Sequence, residues 1–228
     1  MGRVTYVQHT NLRANNLNGE AVLYFNKTKS VYYLTDIPKE PRPRDLNGTF
    51  DVVLGDKDGF PIFKNLKKDS LIFKTVIGPF GAKKCVLKEP LPKIEWQIQN
   101  ERKKIGRYLC QKAVGKFGGR IYDAWFTTEI PISSGPYKLS GLPGLILEAT
   151  SHDGRVNFLF KKLELDDDFD YRIVPPRHKW TFSSKEAYDR KSEEMRQDLI
   201  LYFKSMGVDA TVGARRKPNP DFDIEFEE

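Results

Sequence analysis

The sequence predicts a mainly β fold, a curved antiparallel sheet or incomplete barrel of bowl-like shape, with one amphipathic helix near the C terminus. Short segments of alternating apolar and polar residues recur at intervals of about ten residues, and glycine, proline, asparagine or aspartate separates them. Only one long segment has apolar residues at helical spacing. The 228 residues are 39% hydrophobic and 30% charged, which suits a globular domain with one substantial core.

The first elements form a hairpin. Residues 3–12 and 19–33 alternate loosely, and the asparagine-rich segment 15–19 between them has the composition of a turn. A proline-rich segment at 38–44 is predicted to be an extended, exposed connector. Further strands are predicted at 50–54, 61–65 and 70–77, with turns at 56–59 and 78–81.

The second half of the chain continues the series of strands. Strands are predicted at 84–87, 94–99, 108–116, 120–127, 145–151 and 155–165. Residues 99–104 are strongly charged and are predicted to be a hairpin tip that projects into water.

One helix is predicted at 184–206. Ser183 and Glu186 have the spacing of a capping box, and Gly207 supplies a C-terminal stop. Its apolar face contains Tyr188, Met195, Leu199, Tyr202 and Met206. We therefore predict a single β-rich domain over residues 1–207, followed by a flexible charged tail at 208–228.

Residues 95–154 are unusually rich in aromatic residues, glycine and proline, and their centre reads Gly141-Leu142-Pro143-Gly144-Leu145-Ile146. Pro143 fixes φ, and both flanking glycines can adopt positive φ, so this motif predicts a sharp change of chain direction before an apolar strand. A folding role explains the motif without a ligand.

Together with Gly135-Pro136-Tyr137-Lys138-Leu139, this motif resembles the signature of the GLPGLI family, a set of exported Gram-negative bacterial proteins of largely unknown function. A weaker resemblance, from Arg3 to about Leu165, is to the N-terminal bowl-shaped domain that precedes the catalytic domain in some bacterial peptide N-glycosidases. The family assigns no catalytic residue to these motifs, so the resemblance implies none here.

The resemblance implies export to the periplasm or the outer membrane. No charged and apolar leader precedes Val4, so we expect an export signal to have been removed. Cys85 and Cys110 would then meet an oxidising compartment. A disulfide between them would stabilise the fold by about 3 kcal/mol in the chain-entropy model, and two buried free thiols are the alternative.

Composition argues against several classes of function. The net charge of +7 comes from 38 basic and 31 acidic residues, but the lysines are dispersed along strands, which does not indicate a nucleic-acid groove. No segment is long and apolar enough to cross a bilayer. His9, His152 and His178 lack metal-ligand spacing, and the acidic run 166–170 lacks the glycine and terminal glutamate of a calcium loop. We predict no metal and no cofactor.

Strand alternation suggests a binding site. Tyr122, Ala124 and Phe126 would face the core, which leaves Asp123 and Trp125 on the opposite, wetted face. We predict that these two residues, with Tyr137 and Lys138, line a concave binding site.

Two functions follow. The first is an exported, non-catalytic module that binds a hydrophobic, peptide or glycan ligand or docks on an outer-membrane or cell-envelope protein. The second is a hydrolase of glycans or glycopeptides whose carboxylates converge only in the fold. The acidic residues of the motif block are Glu95, Asp123, Glu129 and Glu148.

Overall fold

The computed structural model describes residues 1–12, 15–35, 61–78, 83–166 and 172–207. The first strands are β1 (Gly2–Leu12), β2 (Asn15–Phe25), β3 (Lys29–Leu34), β4 (Ile62–Asn65), β5 (Ser70–Ile77) and β6 (Lys83–Pro90). The later elements are β7 (Gln97–Ile105), β8 (Tyr108–Phe117), β9 (Arg120–Thr127), β10 (Leu145–Ser151), β11 (Val156–Leu165), β12 (Thr181–Phe182) and the helix α1 (Lys185–Ser205).

The twelve described strands form one open sheet, which confirms the predicted mainly β class. The strand order is β12-β6-β5-β4-β3-β2-β1-β11-β10-β9-β8-β7. Neighbours are antiparallel except β12, which lies parallel to β6. In the described part of the chain, strand residues outnumber helical residues more than threefold. The proline-rich connector, the strand at 50–54, the turn at 56–59 and the tail at 208–228 lie outside the described residues.

The sheet is strongly curved. Tyr32 on β3 packs edge-on against Phe158 on β11, with ring centroids 6.3 Å apart, although β2 and β1 lie between them. Adjacent strands are about 4.8 Å apart, so a flat sheet would hold these rings roughly 14 Å from each other. The concave face therefore carries a shared core, to which β1, β2, β3, β8, β9, β10 and β11 all contribute.

The N-terminal hairpin differs from its prediction in register. The asparagine-rich segment is the start of β2, because Leu12 of β1 pairs directly with Asn15. The predicted long strand at 19–33 is instead two strands joined at Asn26. The side-chain oxygen of Asn26 accepts hydrogen bonds from the amides of Thr28 and Lys29, at 3.0 and 2.9 Å, which closes a tight turn.

The charged segment 99–104 is part of a strand, and the prediction of a hairpin tip there is wrong. It belongs to β7, which is an edge strand, and the turn comes after it at Gly106, where φ is +57°. Most side chains of β7 are exposed, as expected of charged residues. Positive side chains on an edge strand discourage pairing with another sheet, so this sequence suits its position.

The helix lies at the β6–β12 side of the sheet. Ser184 is the N-cap, and its hydroxyl accepts the amide of Ala187 at 3.2 Å, so the predicted cap at Ser183 is off by one residue. The hydroxyl of Tyr188 donates to the carbonyl of Val76 at 2.7 Å. Leu201 and Tyr202 in the second half are exposed. The first half of the helix therefore anchors it.

The two cysteines are free thiols in the structure, so the Cys85–Cys110 disulfide is not formed. Both side chains are fully buried. Cys85 lies on β6 and Cys110 on β8, near opposite ends of the strand order. Burial raises the pKa of each thiol to about 11.

Candidate ligand-binding cleft

The loop that connects β9 to β10 covers part of the concave face. Tyr137 in this loop has a φ of +52°, and its ring stacks on Phe158 with centroids 6.5 Å apart. Ile132, Leu139 and Leu142 are buried in the shared core. The covering loop therefore fills this part of the concave face.

The Gly-Leu-Pro-Gly motif performs the predicted change of direction through two different properties of glycine. Gly141 has a φ of +100°, as predicted. Gly144 does not have positive φ. A Cβ at Gly144 would overlap the carbonyl oxygen of Thr127 and would lie 2.7 Å from the Thr127 carbonyl carbon. Gly144 is therefore required by the close approach of another backbone.

The segment between β6 and β7 also lies across the concave face. The indole nitrogen of Trp96 donates to the carbonyl of Ser140 at 2.8 Å. A Cβ at Gly115 of β8 would lie 2.6 Å from Cε3 of Trp96, so this glycine makes room for the indole. Near the other end of the segment, the amide of Leu91 donates to the carbonyl of Asp69 at 3.3 Å.

A cleft of about 990 Å³ remains beside this segment. Its walls are the β4–β5 turn, the end of β6, residues 91–94, the β8–β9 turn and the beginning of α1. Six lysines line it: Lys68, Lys88, Lys93, Lys116, Lys138 and Lys185. Three carboxylates line it as well: Asp69, Glu89 and Glu186. We name it the lysine cleft.

Lys138 is the buried member of this set, with 5% of its surface exposed. Its ammonium lies 3.9 Å from the centroid of the Phe73 ring and 4.0 Å from a carboxylate oxygen of Glu89. These contacts hold a positive charge at the wall of the cleft, and the cation over the ring face is attracted by the ring quadrupole.

The start of α1 adds little free positive potential to the cleft. Ser184 caps the helix, and Glu186 lies in its first turn. The hydrogen bond with Ser184 lowers the pKa of Glu186, so this carboxylate is ionised at neutral pH. The lysines therefore dominate the charge of the cleft.

Asp123 and Trp125 lie on the other face of the sheet. Gln8, Phe158, Ala149 and Ala124 are successive cross-strand neighbours and share one face, the face on which Tyr137 stacks. Asp123 and Trp125 flank Ala124, so they point to the convex side. The structure thus separates the four predicted binding residues into two pairs, with the sheet between them.

The convex pair belongs to a network of ion pairs. The ammonium of Lys103 lies 4.4 Å from the centroid of the Trp125 ring and 2.6 Å from a carboxylate oxygen of Glu148. Asp123 contacts Lys112 at 3.0 Å and His152 at 2.7 Å. Partial burial alone would raise the pKa of Asp123, but these two hydrogen bonds outweigh it and the pKa is lowered.

The remaining histidines have local structural partners. His9 contacts Asn18, and Nδ1 of His178 accepts the amide of Trp180 at 3.2 Å. In the described residues, no group of three or more histidine, cysteine or acidic side chains has the geometry of a metal site. The described part also contains no helix long and apolar enough to cross a membrane.

Sequence reasoning identified one cleft residue, Lys138, and missed the others. The missed lysines occur in a turn, a strand end, a connector, a hairpin and a helix start, and in each place a lysine is an ordinary solvated residue. The Gly-Lys-Phe-Gly-Gly sequence at 115–119 was the one local signal, because it is both glycine-rich and basic.

Residues 119–148 match a family described as "Protein of unknown function (Porph_ging)". The match includes β9, the covering loop and the start of β10, and is a small part of the chain. Over these residues the chain is similar to a family of unknown function. No curated protein matches the chain.

The fold is similar to that of PNGF-II. Two crystal structures of PNGF-II, in space groups P21 and C2, each have a TM-score of 0.56 and are 17% and 16% identical to this chain. The similarity covers 86% of this chain and 33% of each PNGF-II chain. The chain therefore spans about a third of the length of the protein it resembles, and at this identity the likeness concerns the fold.

Proposed function

We propose that the chain is an exported, non-catalytic binding module that holds a segment of a glycan or peptide in the lysine cleft. The observation that supports this proposal is the cleft itself. The covering loop and residues 91–96 fill other parts of the concave face and leave the cleft open. Its volume of about 990 Å³ lies at the upper end of the range of roughly 300–1,000 Å³ that is usual for ligand sites. The resemblance to exported proteins supports the localisation.

The hydrolase alternative has less support. Glu148 is paired with Lys103, and Glu129 accepts the amide of Leu109 at 2.8 Å. Asp123 is held between Lys112 and His152. Each of these carboxylates has a structural role, and none of them lines the cleft.

Blocking the cleft without changing its charge tests the proposal. Ser183 lines the cleft and is exposed, so Ser183→Trp would place an indole in the ligand's space. Thr28→Trp is the matched control, because Thr28 is an exposed turn residue outside the cleft. Native mass spectrometry would detect co-purified ligand, and arrays of glycans and peptides would measure binding.

We expect the wild-type protein and Thr28→Trp to bind the same array members, and Ser183→Trp to lose them. Binding that survives in Ser183→Trp would place the ligand elsewhere and overturn the cleft. Turnover of an array glycan or glycopeptide that Glu148→Gln or Glu129→Gln abolishes would establish the hydrolase instead.

A further inference from the structure

The charges of the lysine cleft are poorly balanced. Six lysines line it against three carboxylates, Asp69, Glu89 and Glu186. Glu89 lies beside Lys138, and Glu186 belongs to the cap of α1. Lys68, Lys88 and Lys93 are exposed on the rim. Within the part of the chain that the structure describes, the ammonium groups of these three lysines have no carboxylate partner within 4 Å.

Several lysines elsewhere on the molecule have a carboxylate partner. Lys103 pairs with Glu148, Lys112 with Asp123, and Lys191 with Glu194. Gathering like charges around one concavity disfavours the fold through repulsion, and a low-dielectric wall strengthens the field inside a cleft. An anionic ligand would reverse the sign of this interaction.

We propose that the lysine cleft binds an anionic glycan, an oligosaccharide that carries two or more carboxylate or sulfate groups. This inference rests on the proposed function and names its ligand class.

The walls favour a glycan over a single inorganic anion. Pro90, Pro92 and Phe117 line the cleft together with the lysines. Apolar rings of this kind pack against the C–H faces of sugar rings, while hydroxyl groups such as that of Ser70 can take part in hydrogen bonds. Lysines are point charges on flexible stems, so they can meet anionic groups at several positions along a chain of sugars.

A heparin-derived hexasaccharide is a suitable probe, because it carries both sulfates and carboxylates. Lys88→Gln/Lys93→Gln removes two positive charges from the rim. Lys27→Gln/Lys104→Gln removes two exposed lysines that lie outside the cleft and is the matched control. Isothermal titration calorimetry would compare the Kd of both variants with that of the wild-type protein.

We expect the cleft variant to bind the hexasaccharide about tenfold or more weakly and the control to change by less than about twofold. The affinity of the wild-type protein should fall as salt is added, because salt screens exposed charges. Ser183→Trp should also lose the probe.

Three results would overturn the inference. In the first, the wild-type protein does not bind the hexasaccharide. In the second, both double variants weaken binding equally, which would indicate general charge attraction. In the third, inorganic sulfate competes as well as the hexasaccharide does, which would indicate a site for a single anion. An uncharged array ligand that Ser183→Trp displaces would leave the proposed function standing while the anionic inference fails.

Discussion

At the scale of single residues, two glycines show different reasons for the absence of a side chain. Gly144 has no positive φ, but an added Cβ would overlap the backbone of Thr127. Gly154 has a φ of +69°, and nothing lies within 4 Å of its added Cβ. Substitution therefore causes a steric clash at the first position and backbone strain alone at the second.

We expect Gly144→Ala to lower the free energy of unfolding by about 2–3 kcal/mol, because neither backbone segment can move without disturbing the sheet. Gly154→Ala should cost only about 1 kcal/mol. Urea unfolding of both variants measures the difference. Equal losses would mean that the loop relaxes around the new methyl group, and the motif would then tolerate a looser contact than the structure implies.

At the scale of secondary-structure elements, local sequence patterns predict several strand bounds correctly. The strands Ser70–Ile77, Arg120–Thr127 and Leu145–Ser151 have the bounds that the sequence predicts, since turn residues enclose a short apolar run at each. One turn was missed and one was placed too early in the chain, each for a physical reason. At Asn26 a single side chain closes the turn, and on β7 the charge of an edge strand mimics that of a loop.

The N-cap of α1 gives a testable prediction about which serine stabilises the helix. Ser183 and Ser184 are adjacent, and only the hydroxyl of Ser184 accepts the amide of Ala187. Ser184→Ala should destabilise the first turn by about 1 kcal/mol, whereas Ser183→Ala should have almost no effect. Hydrogen exchange at Ala187 would report the change.

An NMR titration gives a second readout for the cap. The hydrogen bond with Ser184 lowers the pKa of Glu186, so this pKa should rise toward its ordinary value in Ser184→Ala and stay lowered in Ser183→Ala. The reverse pattern would restore Ser183 as the cap.

At the scale of the whole molecule, the sequence predicts the class of fold but not the site. Strand alternation correctly places Tyr122, Ala124 and Phe126 in the core and Asp123 and Trp125 on the opposite face. It carries no information about curvature, which brings β6 and β8 to one cleft from near opposite ends of the sheet. The lysines of the cleft come from separate segments, so no local sequence pattern predicts that they form one site.

Lys64 shows how such long-range contacts hold the molecule together. It lies on β4 with no exposed surface, and its amine donates to the carbonyls of Gly135 at 2.7 Å and Leu139 at 2.8 Å. The Ser134 hydroxyl is 3.5 Å away. Lys64 thus fixes the covering loop to the sheet.

Burial lowers the pKa of Lys64 well below 10.5. The two carbonyls would favour the charged form, but a neutral amine still has two N–H groups with which to donate to them. Desolvation therefore decides the direction. Between the lowered folded pKa and the unfolded value, the unfolded chain binds more protons than the folded chain, so the free energy of unfolding rises with pH.

Lys64→Met should remove this pH dependence, because methionine does not titrate. At about pH 9.5, where the linkage cost of Lys64 is smallest within the range measured, it should also lower the free energy of unfolding by about 2 kcal/mol, since the carbonyls of Gly135 and Leu139 lose their donor. This difference from the wild-type protein should shrink as the pH falls. Urea unfolding at several pH values between neutrality and about 9.5 would measure both effects. Lys27→Met, at an exposed turn, should keep the wild-type slope. If the Lys64→Met protein also keeps that slope, Lys64 is charged in the folded state, and the carbonyls of the covering loop stabilise the ammonium more than burial disfavours it.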